Sequence, residues 1–276
     1  MTSNQTIVLA IAIGIALLFA VQVVILFYVR SALADAEPSE QVDAEPAPNR
    51  RTETAGLVGR LRRISADQHA LSVREIEALI DLRALVPART TMPSTQGWAA
   101  SQLSISTLVR EILDTRPETV VEIGSGGSSV WVGYCLERLG HGRCISLEHD
   151  EEYAARTRAD LRRHGLEKYV EVVYSPLKNV DVAGETFRWY DVDGLVGLEG
   201  VDIVFVDGPP GTTGPLARYP ALPMLAAHCS PGARFILDDA ARPDERAIVQ
   251  RWVAEHGAVV VDRTPGPLGS VTARLG

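Results

Sequence analysis

Three carboxylates close two apolar runs late in the chain: Asp207 after Val201-Asp-Ile-Val-Phe-Val, and Asp238 with Asp239 after Phe235-Ile-Leu. Oxygen ligands in such a set suit a hard divalent cation, Mg²⁺ or Mn²⁺, with positions left open for water or substrate. The bland alternative is that Asp238 and Asp239 cap the next helix or pair with Arg242. Upstream, Val120-Val-Glu-Ile-Gly-Ser-Gly-Gly-Ser-Ser129 joins a β-branched run to a glycine-rich turn and then to the amphipathic stretch Val130–Leu139. Strand, tight turn and helix N-terminus turn backbone N–H groups and the helix dipole toward a ligand. Glu148 ends the run Ile145-Ser-Leu-Glu, where an acid can accept bidentate hydrogen bonds from both hydroxyls of a ribose. Asp150, two residues on, reads as a helix cap. No Ser–His–Asp order, CxxC pair, HExxH or Walker loop is present.

These groups need a scaffold that carries them to one edge. After Ser101 helical and strand patterns alternate, which argues for a parallel sheet covered on both faces. The patterns predict helices near 102–115, 128–139, 151–165, 213–229 and 242–256. Strands are predicted near 119–124, 143–148, 169–174, 201–207, 233–238, 257–262 and 268–274. Thr264-Pro-Gly-Pro-Leu-Gly269 is too short for a crossover helix, so the last two strands should pair antiparallel. An ordinary dinucleotide-binding fold lacks that ending, and Ser129 stands where its third glycine would be.

At this point the chain resembles the class I S-adenosylmethionine-dependent methyltransferases, over roughly residues 90–276. The resemblance implies an α/β, Rossmann-like, seven-stranded sheet, mostly parallel with an antiparallel last strand and helices on both faces. It implies that Gly124, Ser125, Gly126, Gly127 and Ser128 form the loop under the methionine part of S-adenosylmethionine, with Glu122 serving its ammonium region. Glu148 and His149 would flank the ribose, Ser175 would lie near the adenine, and Asp207 would reach the methyl acceptor. In the catechol O-methyltransferase-like branch an Asp and an Asp-Asn pair hold Mg²⁺. Asp207, Asp238 and Asp239 are similar, with Asp in place of Asn. That branch also has a lysine base soon after the first Asp, whereas Pro209, Pro210 and Gly211 stand here and leave the base unassigned. Trp98, Trp189 and Tyr190 are candidates for the acceptor side, although aromatic burial is the commoner role.

Composition sets the outer limits. A chain of 276 residues with 46% apolar content has an ample core, and a formal charge of −8 argues against nucleic acid as a partner. Cys135, Cys144 and Cys229 are widely spaced in apolar contexts, which favours free thiols over disulfides or a metal cluster. Ile7 to Val29 carries no charge and as a helix would extend about 34 Å, enough to cross a bilayer core. A cleaved signal peptide is the rival, but no Lys or Arg precedes the run. Arginines from Arg30 onward all follow it, so the positive-inside rule puts the catalytic domain in the cytoplasm of a single-pass membrane protein. The expected organisation is an anchor over 1–30, a disordered Pro/acidic linker over 31–56, a helical and cover segment over 57–100, and the catalytic domain over 101–276. From Leu57 to Val86 an apolar stripe predicts a helix packed on the main domain, interrupted at Gln68 and Glu75. The stripe has too few heptads to impose a coiled-coil homodimer, which stays as its alternative. The activity expected is O-methylation of a small-molecule or glycan acceptor. A catalytically silent cofactor-binding scaffold and, further off, an NAD(P)-dependent oxidoreductase are the alternatives.

Overall fold

The computed structural model describes residues 50–94, 99–195, 197–266 and 269–276. The expected anchor Ile7–Val29, most of the linker and Trp98 lie outside them. Among the described residues no helix is long and apolar enough to cross a membrane. Leu61–Gly276 forms one compact unit; of the other, Met1–Arg60, the description covers only the start of helix α1 (Arg50–Leu85). That helix begins seven residues before Leu57, inside the stretch expected to be linker.

The β-branched runs become strands because alternate side chains can be buried on opposite sheet faces. β1 (Thr119–Ile123), β2 (Arg143–Glu148), β3 (Val170–Tyr174), β6 (Val201–Val206), β7 (Cys229–Leu237), β8 (Val259–Arg263) and β9 (Val271–Arg274) make a seven-stranded sheet in the order β3-β2-β1-β6-β7-β9-β8. β3, β2, β1, β6 and β7 pair in parallel, while β9 runs antiparallel to both β7 and β8. The predicted reversed ending is therefore present. On one face Val121, Ile123, Val204, Val206, Phe235 and Leu237 pack with Trp252 of α6 (Pro243–His256). On the other, Val120, Ile203, Phe205 and Ile236 meet α2 (Gln102–Thr115), α3 (Gly127–Leu139) and the end of α1 through Leu82 and Val86. The period of two decides a functional question as well. Glu122 shares the face of Val120, so it points under α3 and not out of the sheet edge.

Local signals placed the helix ends. Ser101 caps α2 by accepting from the Ser104 N–H at 3.1 Å. Asp150 caps α4 (Glu151–His164) by accepting from Tyr153 N–H at 3.0 Å. Pro243 occupies the first turn of α6, where its missing N–H costs nothing. The single helix expected over 213–229 does not form. Pro215, Pro220 and Pro223 break it into 3-10 turns at Gly211–Thr213 and Ala226–His228 around the short α5 (Ala221–Leu225). A second sheet absent from the sequence reading, the hairpin β4 (Leu177–Val182) and β5 (Glu185–Tyr190), turns at Ala183-Gly184 with positive φ at both residues. The three cysteines are free. Of the predicted α1 stripe, Leu82 is buried, Leu71 and Leu85 are half-buried, and Ile64 is exposed.

Candidate active site

The strand order reverses between β1 and β6. β1, β2 and β3 run off one way and β6 and β7 the other, leaving a crevice beyond their carboxyl ends. Backbone bonds continue the ladder into the loops there. Gly124 N–H donates to Leu147 O at 2.9 Å, Asp207 N–H to Ile123 O at 3.0 Å, and Asp238 N–H to Val206 O at 3.0 Å. The glycine loop, Glu148 and the late carboxylates are thus fixed by the sheet itself. They line one cavity of about 840 Å³, together with residues of α1, α2 and α4.

At one end lies the glycine loop. Gly124 sits at φ +97°, so conformation calls for glycine, and a Cβ there would stand against the Asp207–Gly208 backbone at 3.4 Å. Added Cβ atoms at Gly126 and Gly127 would meet nothing within 4 Å, because both positions open onto the cavity. Beside them the Glu148 carboxylate is held at both oxygens. Oε2 accepts from Ser125 N–H and Oγ, each at 3.0 Å, and Oε1 from Asp150 N–H at 3.0 Å with His149 Nδ1 equally close. Burial acts to raise its pKa, but the bonds from His149, Asp150 and Ser125 outweigh burial and hold it below the usual carboxylate range. Tyr190, delivered by β5, stands edge-on to His149 and lines the cavity. A Cβ at Gly208 would collide with its hydroxyl.

At the other end are the carboxylates. Asp207, Asp238 and Asp239 can each offer an oxygen within 4.8 Å of the others. Buried Arg218 bridges them from the opposite side. Its Nη2 lies 3.2 Å from Asp207 Oδ1 and 3.3 Å from Asp239 Oδ2, and it also donates to the carbonyls of Asp207 and Asp238. Arg242 pairs with Asp239 Oδ2 at 2.8 Å, as the capping alternative expected. Asp238 Oδ1 accepts from Ser104 Oγ and from Asp239 N–H. Burial, followed by repulsion from Asp238, pushes the Asp207 pKa well above the carboxylate range; burial and Asp239 raise that of Asp238. Two guanidiniums, one of them half in solvent, face three carboxylates.

Of the residues expected at the site, Gly124, Ser125, Gly126, Gly127, Glu148, His149, Asp207, Asp238 and Asp239 line the cavity. Three do not. Glu122 is sealed beneath the loop, accepting at Oε2 from Ser129 Oγ (2.5 Å) and Ser146 Oγ (2.7 Å), while its Oε1 has no partner. Its burial raises its pKa to about 7. Ser128 lies in the first turn of α3, turned inward to bond Glu122. Ser175 spends its hydroxyl on Asp191 O at 2.6 Å, because the chain turns there into the β4–β5 hairpin. Trp189 is fully buried in the core and only Tyr190 reaches the cavity. His228 is structural, with Nδ1 2.8 Å from Leu198 O. Arg218 was missed altogether. Its signal is an isolated charge in the otherwise uncharged segment Gly208–Ala233, ahead of Asp238.

A protein-family model described as a methyltransferase domain matches residues 121–240, from β1 through the turn after β7. No curated protein matches the chain. Among solved structures it is similar to the S-adenosylhomocysteine-bound methyltransferase PaMTH1 of Podospora anserina, at 16% identity and a TM-score of 0.52, over 85% of this chain and 100% of that one. It is also similar to the O-methyltransferase TomG of Streptomyces achromogenes in complex with SAM (20% identity, TM-score 0.48, 66% and 83% covered). A third is an O-methyltransferase of Bacillus cereus in complex with SAH (21% identity, TM-score 0.47, 77% and 97% covered). At 16% identity the likeness to PaMTH1 shows a shared fold.

Proposed function

We propose that this class I methyltransferase moves a methyl group from S-adenosylmethionine to an oxygen of a small hydroxylated molecule or a glycan. One observation carries the reading. A single cavity runs from the open glycine loop and the anchored Glu148 to the carboxylates at the ends of β6 and β7, with room for a donor and an acceptor side by side. Gly126 and Gly127 leave the space that a nucleoside sulfonium would fill, and Glu148 presents fixed oxygens of the kind a ribose needs. S-adenosylmethionine brings a methyl already activated for in-line displacement, so the residues mainly align acceptor oxygen, carbon and sulfur.

Asp207 is the group we assign to the acceptor. A carboxylate with a raised pKa can take the hydroxyl proton near neutral pH, and turnover should rise with pH as Asp207 loses its own proton. The donor set also fits a divalent cation: three carboxylates converge, and their charge exceeds what Arg218 balances. Asp207, Asp238 and Asp239 would hold Mg²⁺ or Mn²⁺, which would lower the pKa of a bound hydroxyl. The test is labelled-methyl transfer into fractionated cell extract, with calorimetry of S-adenosylhomocysteine and NAD alongside. We expect S-adenosylhomocysteine and not NAD to bind, turnover to fall in EDTA and return with Mg²⁺, and Asp207→Asn to lose about 100-fold or more in turnover with donor binding kept. Full turnover in EDTA would leave Asp207 as a metal-free base. Binding without transfer to any fraction would leave a scaffold, and binding of NAD alone would overturn the proposal.

Glu122 yields a second expectation. Its raised pKa means the buried carboxyl is protonated at low pH and charged above about 7. A cationic ammonium above the loop would favour the charged form, so S-adenosylhomocysteine affinity should climb by up to about tenfold from pH 6 to pH 8. Glu122→Gln should flatten that profile. A wild-type affinity independent of pH would remove Glu122 from donor binding.

The charge-free run Ile7–Val29 and the arginines after it support a membrane anchor with the catalytic domain on the cytoplasmic side. Protease added to sealed spheroplasts should leave the domain intact. Recovery of a secreted form beginning near Asp35 would establish the signal-peptide alternative instead.

A further inference from the structure

Two residues at the acceptor end have no role in the chemistry above. Gln102, the first residue of α2, is only 5% exposed and lines the cavity, yet neither its Oε1 nor its Nε2 has a partner among the described residues. Glu75 of α1 accepts from the Gln102 backbone N–H through Oε2 at 2.7 Å, while its buried Oε1 has no partner among the described residues and it too lines the cavity. Ser104, in the same turn of α2 as Gln102, donates to Asp238, so this pair borders the carboxylate end and not the glycine loop. Three buried polar atoms left open around one space are costly, and in a folded protein such groups normally have partners.

We infer that Glu75 and Gln102 form a subsite that holds a non-reacting pair of adjacent hydroxyls on an uncharged acceptor. The inference rests on the methyltransferase reading and goes on to specify its acceptor. The open valences decide the class. Glu75 Oε1 and Gln102 Oε1 only accept, whereas Gln102 Nε2 only donates. One hydroxyl donating to Glu75, and a second donating to and accepting from the Gln102 amide, satisfies all three. An ammonium would serve the two acceptors and leave Nε2 empty. A carboxylate or phosphate would meet Glu75 together with Asp207, Asp238 and Asp239. The cavity arginines are already engaged: Arg218 and Arg242 with Asp239, and Arg156 with Glu152. Anionic acceptors are therefore refused.

Thermal unfolding of the full chain, saturated with S-adenosylhomocysteine, tests this with glucose, glucosamine and glucuronate as probes. Glucose should raise Tm and glucuronate should not, with glucosamine between them. Gln102→Met, close in shape but without polar atoms, should raise the Tm of the sugar-free protein by about 2–5 °C, because it removes unpaired groups. It should also abolish the glucose response while keeping the rise caused by S-adenosylhomocysteine. Glu75→Gln should cut the preference for glucose over glucuronate by about tenfold, since one like charge is gone. A Tm that falls in Gln102→Met, a glucuronate response equal to that of glucose, or no glucose response in the wild type would each overturn the subsite. Loss of the S-adenosylhomocysteine response in the wild type would instead strike the methyltransferase reading, so the two failures are distinguishable.

Discussion

Arg218→Met should destabilise the folded chain by about 3–5 kcal/mol at pH 8, the range found when one partner of a buried ion pair is removed. The aliphatic part of the side chain is retained, so the loss reports charge more than packing. Without the guanidinium, Asp207, Asp238 and Asp239 face one another with Arg242 alone, itself half in solvent, and Glu245 adds a fourth acid 3.9 Å from the vacated position. The pH dependence follows from the raised pKa values of Asp207, Asp238 and Glu245. An acid whose pKa is raised by folding contributes stability below its unfolded pKa and loses it as pH rises through the folded value. Removing Arg218 raises those pKa values further, so the variant suffers more from rising pH than the wild type. The Tm gap between them should therefore be wide at pH 8 and shrink toward pH 5, as folded carboxyls take up protons. A gap independent of pH would mean that Arg218 acts through packing and its bonds to backbone carbonyls, not through the carboxylates. Added Mg²⁺ should narrow the gap at pH 8 if the carboxylates bind it.

Gly126→Val should abolish S-adenosylhomocysteine binding, by more than about 100-fold, at a cost in stability set by the loop's backbone angles. Nothing stands within 4 Å of a Cβ at Gly126, so the new side chain enters the cavity, while a φ of +157° strains any L residue placed there. What it fills is the space a donor would occupy, and a branched side chain at Cβ cannot swing clear of it. The variant should keep the wild type's far-ultraviolet dichroism and melt cooperatively, at a lowered Tm. Calorimetry then separates the cases. Binding retained would move the donor away from the glycine loop, and a collapsed melt would mean that the loop tolerates no side chain for folding reasons.

Gly124→Ala offers an informative contrast. There the Cβ would lie against the Asp207–Gly208 backbone at 3.4 Å and φ +97°, so the cost falls on the loop's backbone and not on the donor space. Two glycines two residues apart thus do different work, which the motif spelling does not separate.

Local pattern was readable wherever it settles its own outcome. The apolar runs became strands because a period of two buries both faces of a parallel sheet. Ser101 and Asp150 start helices through bonds that span three residues, and Pro243 through a first-turn position that needs no N–H. Thr264–Gly269 was too short for a crossover, which forced the reversed final strand and with it the class I architecture. The glycine loop, Glu148, Asp207, Asp238 and Asp239 reached one cavity because each follows a strand of that sheet. The hairpin at Leu177–Tyr190 also had a local pattern, but its turn uses Ala183 at positive φ, a conformation that alanine does not advertise. The prolines after Asp207 broke an apolar segment whose composition otherwise suggested helix.

What lay beyond reach depends on partners distant in the chain. Ser104 meets Asp238 across 134 residues, and the Gln102 backbone meets Glu75 across 27. No spacing rule connects such pairs; only the packing of α1 and α2 against the sheet brings them to one wall. Arg218 gained its meaning the same way, from carboxylates on two different strand ends, and Glu122 lost its expected place at the cavity to the side of the strand it occupies. Side chains at a strand end take their direction from the pleat, and their charge state from whatever the tertiary fold buries beside them.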